Sequence, residues 1–111
     1  FAKMLHDDDK IEEVNYQIYL KWFDEFTQDL RIDHYVYIKT DASVAKERVD
    51  KRARQGETIP YEYLERCSNY HNDWLMNIED IHLIDGHMNV YDPTDYTQML
   101  THFYAVIEPY L

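Results

Sequence analysis

Polar and apolar positions along the chain fall into a series of short, distinct patterns. FAKMLH at 1–6 reads as the end of a helix, and HDDDK at 6–10 as an acidic loop whose aspartates suit the start of the next one. From Ile11 to about Leu30, apolar side chains recur at Ile11, Val14, Ile18, Trp22, Phe23, Phe26 and Leu30. That spacing predicts a packing helix with a stripe broadened by aromatics. Val36, Ile38 and the flanking tyrosines suit a strand over 34–40, and its poor alternation suggests cover on both faces, as in a parallel sheet. Thr40, Asp41 and Ser43 then offer capping oxygens to a helix with Arg48 and Arg52 four apart on one face and Arg54 just beyond. In the loop QGETIP, Gly56 permits an unusual backbone angle and Pro60 suits the first turn of a helix over about 60–77. Tyr63, Leu64, Cys67, Tyr70, Trp74 and Leu75 are expected on its core side. IHLI at 81–84 is a buried-type strand ended by Asp85-Gly86, and Asp92-Pro93 breaks the chain again. Thr94 or Asp95 is placed to cap a last helix over about 94–108, which Pro109 stops.

Two strands, each followed by a helix, describe part of a layered α/β protein. Two parallel strands are too few to bury both faces alone. If nothing is missing, the expectation is a marginal domain; if an N-terminal half is missing, it is the C-terminal half of an open sheet, with its ligand crevice at the carboxyl ends of the strands. The arginine helix and the turn at 85–90 both begin at such ends, which points to one shared ligand.

Charge sharpens that picture. The 111-residue chain carries a formal −11, whereas KERVDKRAR at 46–54 counts +3, leaving −14 for the remainder. One account of this basic island is a solvated helix face paired with Glu47, Asp50 and Glu57. The other is an anion site, since arginine's planar fork suits bidentate contact with phosphate. Nucleic acid is not expected, because there is no extended basic stripe and the field of the chain repels a polyanion. A small phosphorylated ligand fits better.

Composition adds bounds. The length allows one domain with a modest core. The single cysteine, Cys67, excludes an intrachain disulfide, suits a reducing compartment and is expected to be a small buried side chain. No apolar run approaches the ~20 residues of a membrane span and no basic-then-apolar leader occurs, so no membrane partner is expected. His71, His82, His87 and Asp85 match no metal-binding spacing, so no metal site is assigned to them. Phe1 opens the chain directly into helical sequence, which suggests part of a larger or processed protein.

The segment RVDKRARQGETIPYEYLERCSNYHNDWL resembles the lid and following helix of the deoxynucleoside kinases. The family pattern is an arginine, R-x-R, a short loop ending in glutamate, I-P-x-x-Y-L, and then H-x-x-W-L. This chain keeps Arg48, Arg52, Arg54, Glu57, Ile59, Pro60, Tyr63, Leu64, His71, Trp74 and Leu75 within 28 residues. The resemblance extends upstream through Tyr19 and Trp22 to Phe1-Ala2, and downstream to residues 81–90. The loop between Arg54 and Ile59 looks one residue shorter than in the human enzymes. The family's Gly-rich phosphate loop, its general-base glutamate and its Glu-Arg-Ser motif have no counterpart in this sequence.

The resemblance implies an α/β fold, the C-terminal part of a P-loop kinase-type three-layer structure with a parallel sheet and a helical lid at about 45–59. It implies that residues 1–111 are the C-terminal half of one kinase-like domain, with a missing N-terminal half as partner and a homodimer as the assembly. The implied activity is phosphorylation of a deoxyribonucleoside at its 5′-hydroxyl, with ATP or another nucleoside triphosphate and Mg2+; the fragment alone is not expected to be active. A non-catalytic kinase-like interaction subunit is the alternative. Phe1 resembles the aromatic that stacks on the substrate base, and Glu57 the carboxylate that accepts the sugar 3′-hydroxyl. Arg52 and Arg54 resemble the pair that bridges donor phosphates and the transferring group. Arg48 resembles the arginine beside the donor adenine, and the turn Asp85, Gly86, His87, Met88, Asn89 and Val90 the loop whose backbone reads that base. Lys46 and Lys51 are expected to be ordinary surface charges, and the compartment cytoplasmic or mitochondrial.

Overall fold

The computed structural model describes residues 1–111, which divide into two compact units, Phe1–Asp33 and His34–Leu111. The first holds α1 (Ala2–Asp7) and α2 (Glu13–Thr27). Asp9 ends α1 in the left-handed region (φ 56°), where the Asp9 and Lys10 amides donate to the His6 and Leu5 carbonyls. Aspartate tolerates that conformation better than most side chains. His6 stacks on Tyr16 at 4.2 Å and reaches the Glu13 carboxylate at 2.7 Å, fastening α1 to the first turns of α2. Gln17, and after it His6, hold the Glu13 carboxyl below its usual range by hydrogen bonding.

Residues 13–27 are helical as the stripe predicts, but no residue of α2 is buried. Ile18, Trp22, Phe23 and Phe26 remain 49–65% exposed. Periodicity reports which side of a helix is apolar, not that this chain supplies its cover.

In the second unit the elements follow as β1 (Val36–Lys39), α3 (Ala42–Arg52), α4 (Tyr61–Leu75), β2 (His82–Asp85), α5 (Pro93–Ile107) and a closing 3-10 turn at Glu108–Tyr110. The strands pair in parallel, Val36 opposite His82 through Lys39 opposite Asp85, as the two buried-type runs predict. Hydrogen bonds from His82 N to Tyr35 O (2.9 Å) and from Gly86 N to Lys39 O (2.8 Å) extend the ladder at both ends. Two helices, α3 and α4, make the crossover between the strands and pack on each other. Tyr37 anchors α4 to β1 by donating its hydroxyl to Asn72 Oδ1 at 3.1 Å, and burial raises the phenol's pKa. Ile84, Ala42 and Leu75 are the buried apolar side chains of this unit. Val36, Ile38 and Leu83 stay exposed, so the strands are not covered on both faces by this chain.

Several local expectations need correction. Tyr63 and Trp74 are exposed rather than core-facing, and Cys67 is half-buried. Pro60 is the N-cap of α4 and not its first residue. Asp92, rather than Thr94 or Asp95, caps α5: its carboxylate accepts from both of those amides, with Pro93 in the first turn, where no amide hydrogen is missed. Asp41 stands at the N-cap of α3 with no capping bond from its side chain, which is engaged elsewhere.

Gly86 is required by proximity. A Cβ at this position would fall on Thr40 Oγ1 and 2.6 Å from the Lys39 carbonyl oxygen. Gly86→Ala therefore forces β2 and its following turn away from the end of β1. In the whole protein this change should lower stability by about 1–3 kcal/mol, the usual range for overpacking. Urea unfolding measures it, and an unchanged midpoint would show that the strand ends separate freely.

Candidate functional site

Parallel pairing places the carboxyl ends of β1 and β2 side by side, and the chain leaves each into a segment of opposite character. After β1 it enters α3, whose exposed face is basic. After β2 it enters the turn at 85–90, rich in backbone polar groups. Between them lies a cleft of about 1100 Å³ lined by Thr40, Val44, Glu47, Arg48, Lys51 and Arg52 on one side. Asp85, Gly86, His87, Met88, Asn89, Val90 and Tyr91 line the other, with Met99 from α5.

Of the expected nucleotide-contacting residues, Arg48, Arg52 and the turn at 85–90 thus meet in one place. Arg48 donates from a terminal guanidinium nitrogen to the Met88 carbonyl at 3.1 Å, across 40 residues of sequence. The turn is tied down along its length. Asp85 Oδ1 accepts from the His87 amide at 2.9 Å, Asp95 Oδ2 from the Asn89 amide at 2.8 Å, and Asn89 Oδ1 from the Tyr91 amide at 3.1 Å. Hydrogen bonds from the His87 amide and then its ring hold the Asp85 carboxyl below its usual range.

The lid is organised differently. Ala53 ends α3 in the left-handed conformation (φ 44°), its amide donating to Val49 O at 3.1 Å. Arg54 is therefore outside the helix and does not line the cleft, whereas Arg52 does. Gly56 takes φ 78°, the freedom expected of it, and the Glu57 amide donates back to Arg54 O. That turn brings Glu57 onto Arg52: Nε lies 3.1 Å from Oε2 and a terminal nitrogen 2.5 Å from Oε1, a bidentate fork. The two residues assigned separate roles by resemblance are each other's partners here. Neither lid arginine of the cleft stands unpartnered, since Arg52 is paired and Arg48 is hydrogen-bonded.

Phe1 lies in the other unit, exposed at the N-cap of α1. His71 bonds the Cys67 carbonyl one helical turn back, at 2.6 Å, a structural contact. Lys46 pairs with Asp50, as a surface charge should, but Lys51 lines the cleft. Sequence reasoning also missed Asp41. Read as a helix cap, it instead pairs its carboxylate with His87 Nε2 at 3.0 Å. An aspartate at a helix start and a histidine after a turn were the only available signals, and neither names the other.

A deoxynucleoside kinase family model matches residues 1–108. Human mitochondrial thymidine kinase 2 is 35% identical over 79 residues, covering 68% of this chain and 30% of that protein. The probable deoxycytidine kinase of fowlpox virus is 37% identical over 79 residues (68% and 33%), and mouse deoxycytidine kinase 33% over 82 residues (69% and 32%). The chain spans about a third of the length of these relatives. The match over residues 1–108, together with the arginine helix facing the turn after β2, places this chain in the deoxynucleoside kinase family.

Proposed function

We propose that this chain is the donor-binding and lid portion of a kinase that phosphorylates a deoxyribonucleoside at its 5′-hydroxyl, using ATP or another nucleoside triphosphate. The observation that carries this reading is the cleft in which Arg48, Lys51 and Arg52 face the turn at 85–90, in a chain of this family. The hydroxyl oxygen forms a bond to the terminal phosphorus as the bond from phosphorus to the bridging oxygen breaks, and the diphosphate leaves with that electron pair. The hydroxyl proton passes to a base outside this chain. Here the chain's own part is positional and electrostatic. Lid guanidinium groups oppose charge on the equatorial oxygens, and closure over the cleft keeps water away. No group of three or more His, Cys, Asp or Glu in the chain is arranged to hold a metal ion. As the resemblance implies, the magnesium of the reaction is proposed to be held largely by residues outside the chain. The remaining portion of the domain is likewise proposed to come from outside the chain, which spans about a third of its relatives.

The Arg52–Glu57 fork favours a second reading, a kinase-like subunit without activity, because it satisfies both charges inside the lid. The pair is partly exposed, Arg52 by 41% and Glu57 by 22% of its side chain, so its strength is limited by solvent screening. A triphosphate carries more charge than one carboxylate and competes effectively for the same fork.

Steady-state kinetics of the whole protein separate the two readings. Arg52→Ala and Arg54→Ala should each lower kcat and kcat/KM together, by roughly a hundredfold or about 3 kcal/mol, as expected for one transition-state donor. Arg54→Lys should recover only part, since a point charge does not reproduce the fork. Glu57→Ala should raise the nucleoside KM and weaken discrimination for the sugar hydroxyl. Lys46→Ala is the control and should change rates by less than about twofold, because its exposed pair with Asp50 contributes little. Equal, small effects at Arg54 and Lys46 would return the lid to a solvated basic helix.

The whole protein is also proposed to be a homodimer, using the apolar face of α2. Light scattering should then give twice the chain mass for the whole protein. Trp22→Glu, at a position 61% exposed, should halve it without unfolding the domain. A monomeric parent protein would remove the dimer from this reading.

A further inference from the structure

Where α3 begins, a cluster of charge joins it to the turn after β2, and no step of phosphoryl transfer uses it. The His87 imidazole places one nitrogen on each of two carboxylates: Nδ1 lies 2.7 Å from Asp85 Oδ1 and Nε2 lies 3.0 Å from Asp41 Oδ2. Asp41 is the N-cap of α3 and Asp85 the last residue of β2, so the ring bridges the two segments that form the cleft walls. Serving both carboxylates requires a hydrogen on both nitrogens, which only the imidazolium has. The neutral ring meets Asp41 differently. With its proton on Nδ1, its Nε2 lone pair faces a carboxylate and keeps only the Asp41 amide, 3.3 Å away, as a donor.

We propose that His87 is a positioning residue: as an imidazolium it clamps the turn at 85–90 to the start of α3, in the shape that receives the base of the nucleotide donor. Loss of the ring proton releases the Asp41 arm of the clamp and weakens donor binding. The inference rests on the reading of this cleft as the donor site, and assigns a side-chain role within it. The near end of the turn is held by His87 and by the Gly86 amide on Lys39 O, the middle by Arg48 on Met88 O, and the far end by Asp95 on the Asn89 amide. His87 is the clamp among these whose charge changes near neutral pH.

The electrostatics agree in sign. The hydrogen bond that the ring donates to Asp85, and then Asp41, raise the His87 pKa above its ordinary 6.5 against the opposing effect of burial. A raised pKa makes the clamp complete below 6.5 and lost as pH rises through the higher folded value. Asp85 remains ionised across that window because its own pKa is lowered. The other charged groups at this place are Lys39, Arg48 and Asp95, with His102 of α5 acting on Asp85 through its charge. Of these His102 is the one other histidine, so it must be controlled.

The test uses the whole protein with ATP, over about pH 5.5 to 9. The ATP KM should rise about three- to fivefold through a single-proton transition above pH 6.5, the size of an exposed ion pair, while the nucleoside KM shows no such step. His87→Gln should remove the transition and fix the ATP KM at its high-pH value, whereas His102→Gln should leave the transition in place. Asp41→Asn should lower the midpoint of the His87 titration followed by proton NMR without nucleotide. A transition that survives His87→Gln, or an ATP KM flat across the window, overturns the proposal. A protein that binds no ATP overturns the donor-site reading, and NMR then judges the clamp alone. A His87 midpoint above 6.5 that falls in Asp41→Asn upholds the bridge, and one at or below 6.5 overturns it.

Discussion

Parallel pairing of β1 with β2, in a register that sets Lys39 opposite Asp85, is the constraint from which the cleft follows. It ends both strands at one level, so the helix leaving the first and the turn leaving the second begin as neighbours. Antiparallel pairing would send them to opposite edges. Gly86 keeps that level, because its missing side chain lets its amide reach the Lys39 carbonyl past Thr40. With the ends so fixed, Arg48 stands less than two helical turns into α3 and reaches Met88 without leaving the helix. A ligand in this cleft therefore meets a wall whose backbone is already ordered, which reduces the entropy lost on binding.

Charge is distributed with the same economy. The chain as a whole is strongly acidic, yet guanidinium and ammonium groups gather along one face of α3. Arg52 and Glu57 need not be exclusive partners. The fork engages Nε and one terminal nitrogen of Arg52, and a guanidinium has five N–H donors. A carboxylate in turn has about four lone-pair sites, so Glu57 keeps acceptor capacity for a hydroxyl while it holds the arginine. Under the proposed function, the pair orients both groups before a substrate arrives.

Local patterns were the legible part of the sequence. Helical spacing, two buried-type runs and the turn residues place the elements to within a few residues, and two strands each trailed by helix predict their parallel pairing. The lid motif carries the family, because eleven residues at fixed spacings are far more specific than a basic island. Contacts made across the chain were not legible. Asp41 has the side chain and position of a helix cap, and nothing near it in sequence says that His87, 46 residues on, takes its carboxylate. Capping of α5 by Asp92 rather than its neighbours is likewise decided by which oxygen reaches two amides at once. Tyr63 and Trp74 were placed by period on the core side of α4, but a helix of 15 residues presents more apolar surface than this chain covers.

That excess of apolar surface has two forms, and they make different physical demands. Ile38 and Leu83 project from a two-stranded parallel sheet, whose outer edges carry backbone groups that need partners as well as side chains that need cover. Further strands would satisfy the edges, and helices or loops would bury the faces. The apolar face of α2 has no such requirement. Its backbone bonds within the helix, and any apolar surface of matching shape can cover Trp22 and Phe26, which already lean on each other at 5.1 Å. Extending the sheet would thus engage backbone hydrogen bonds, while covering α2 involves the hydrophobic effect alone. A second copy can meet the second demand without contributing anything to the first.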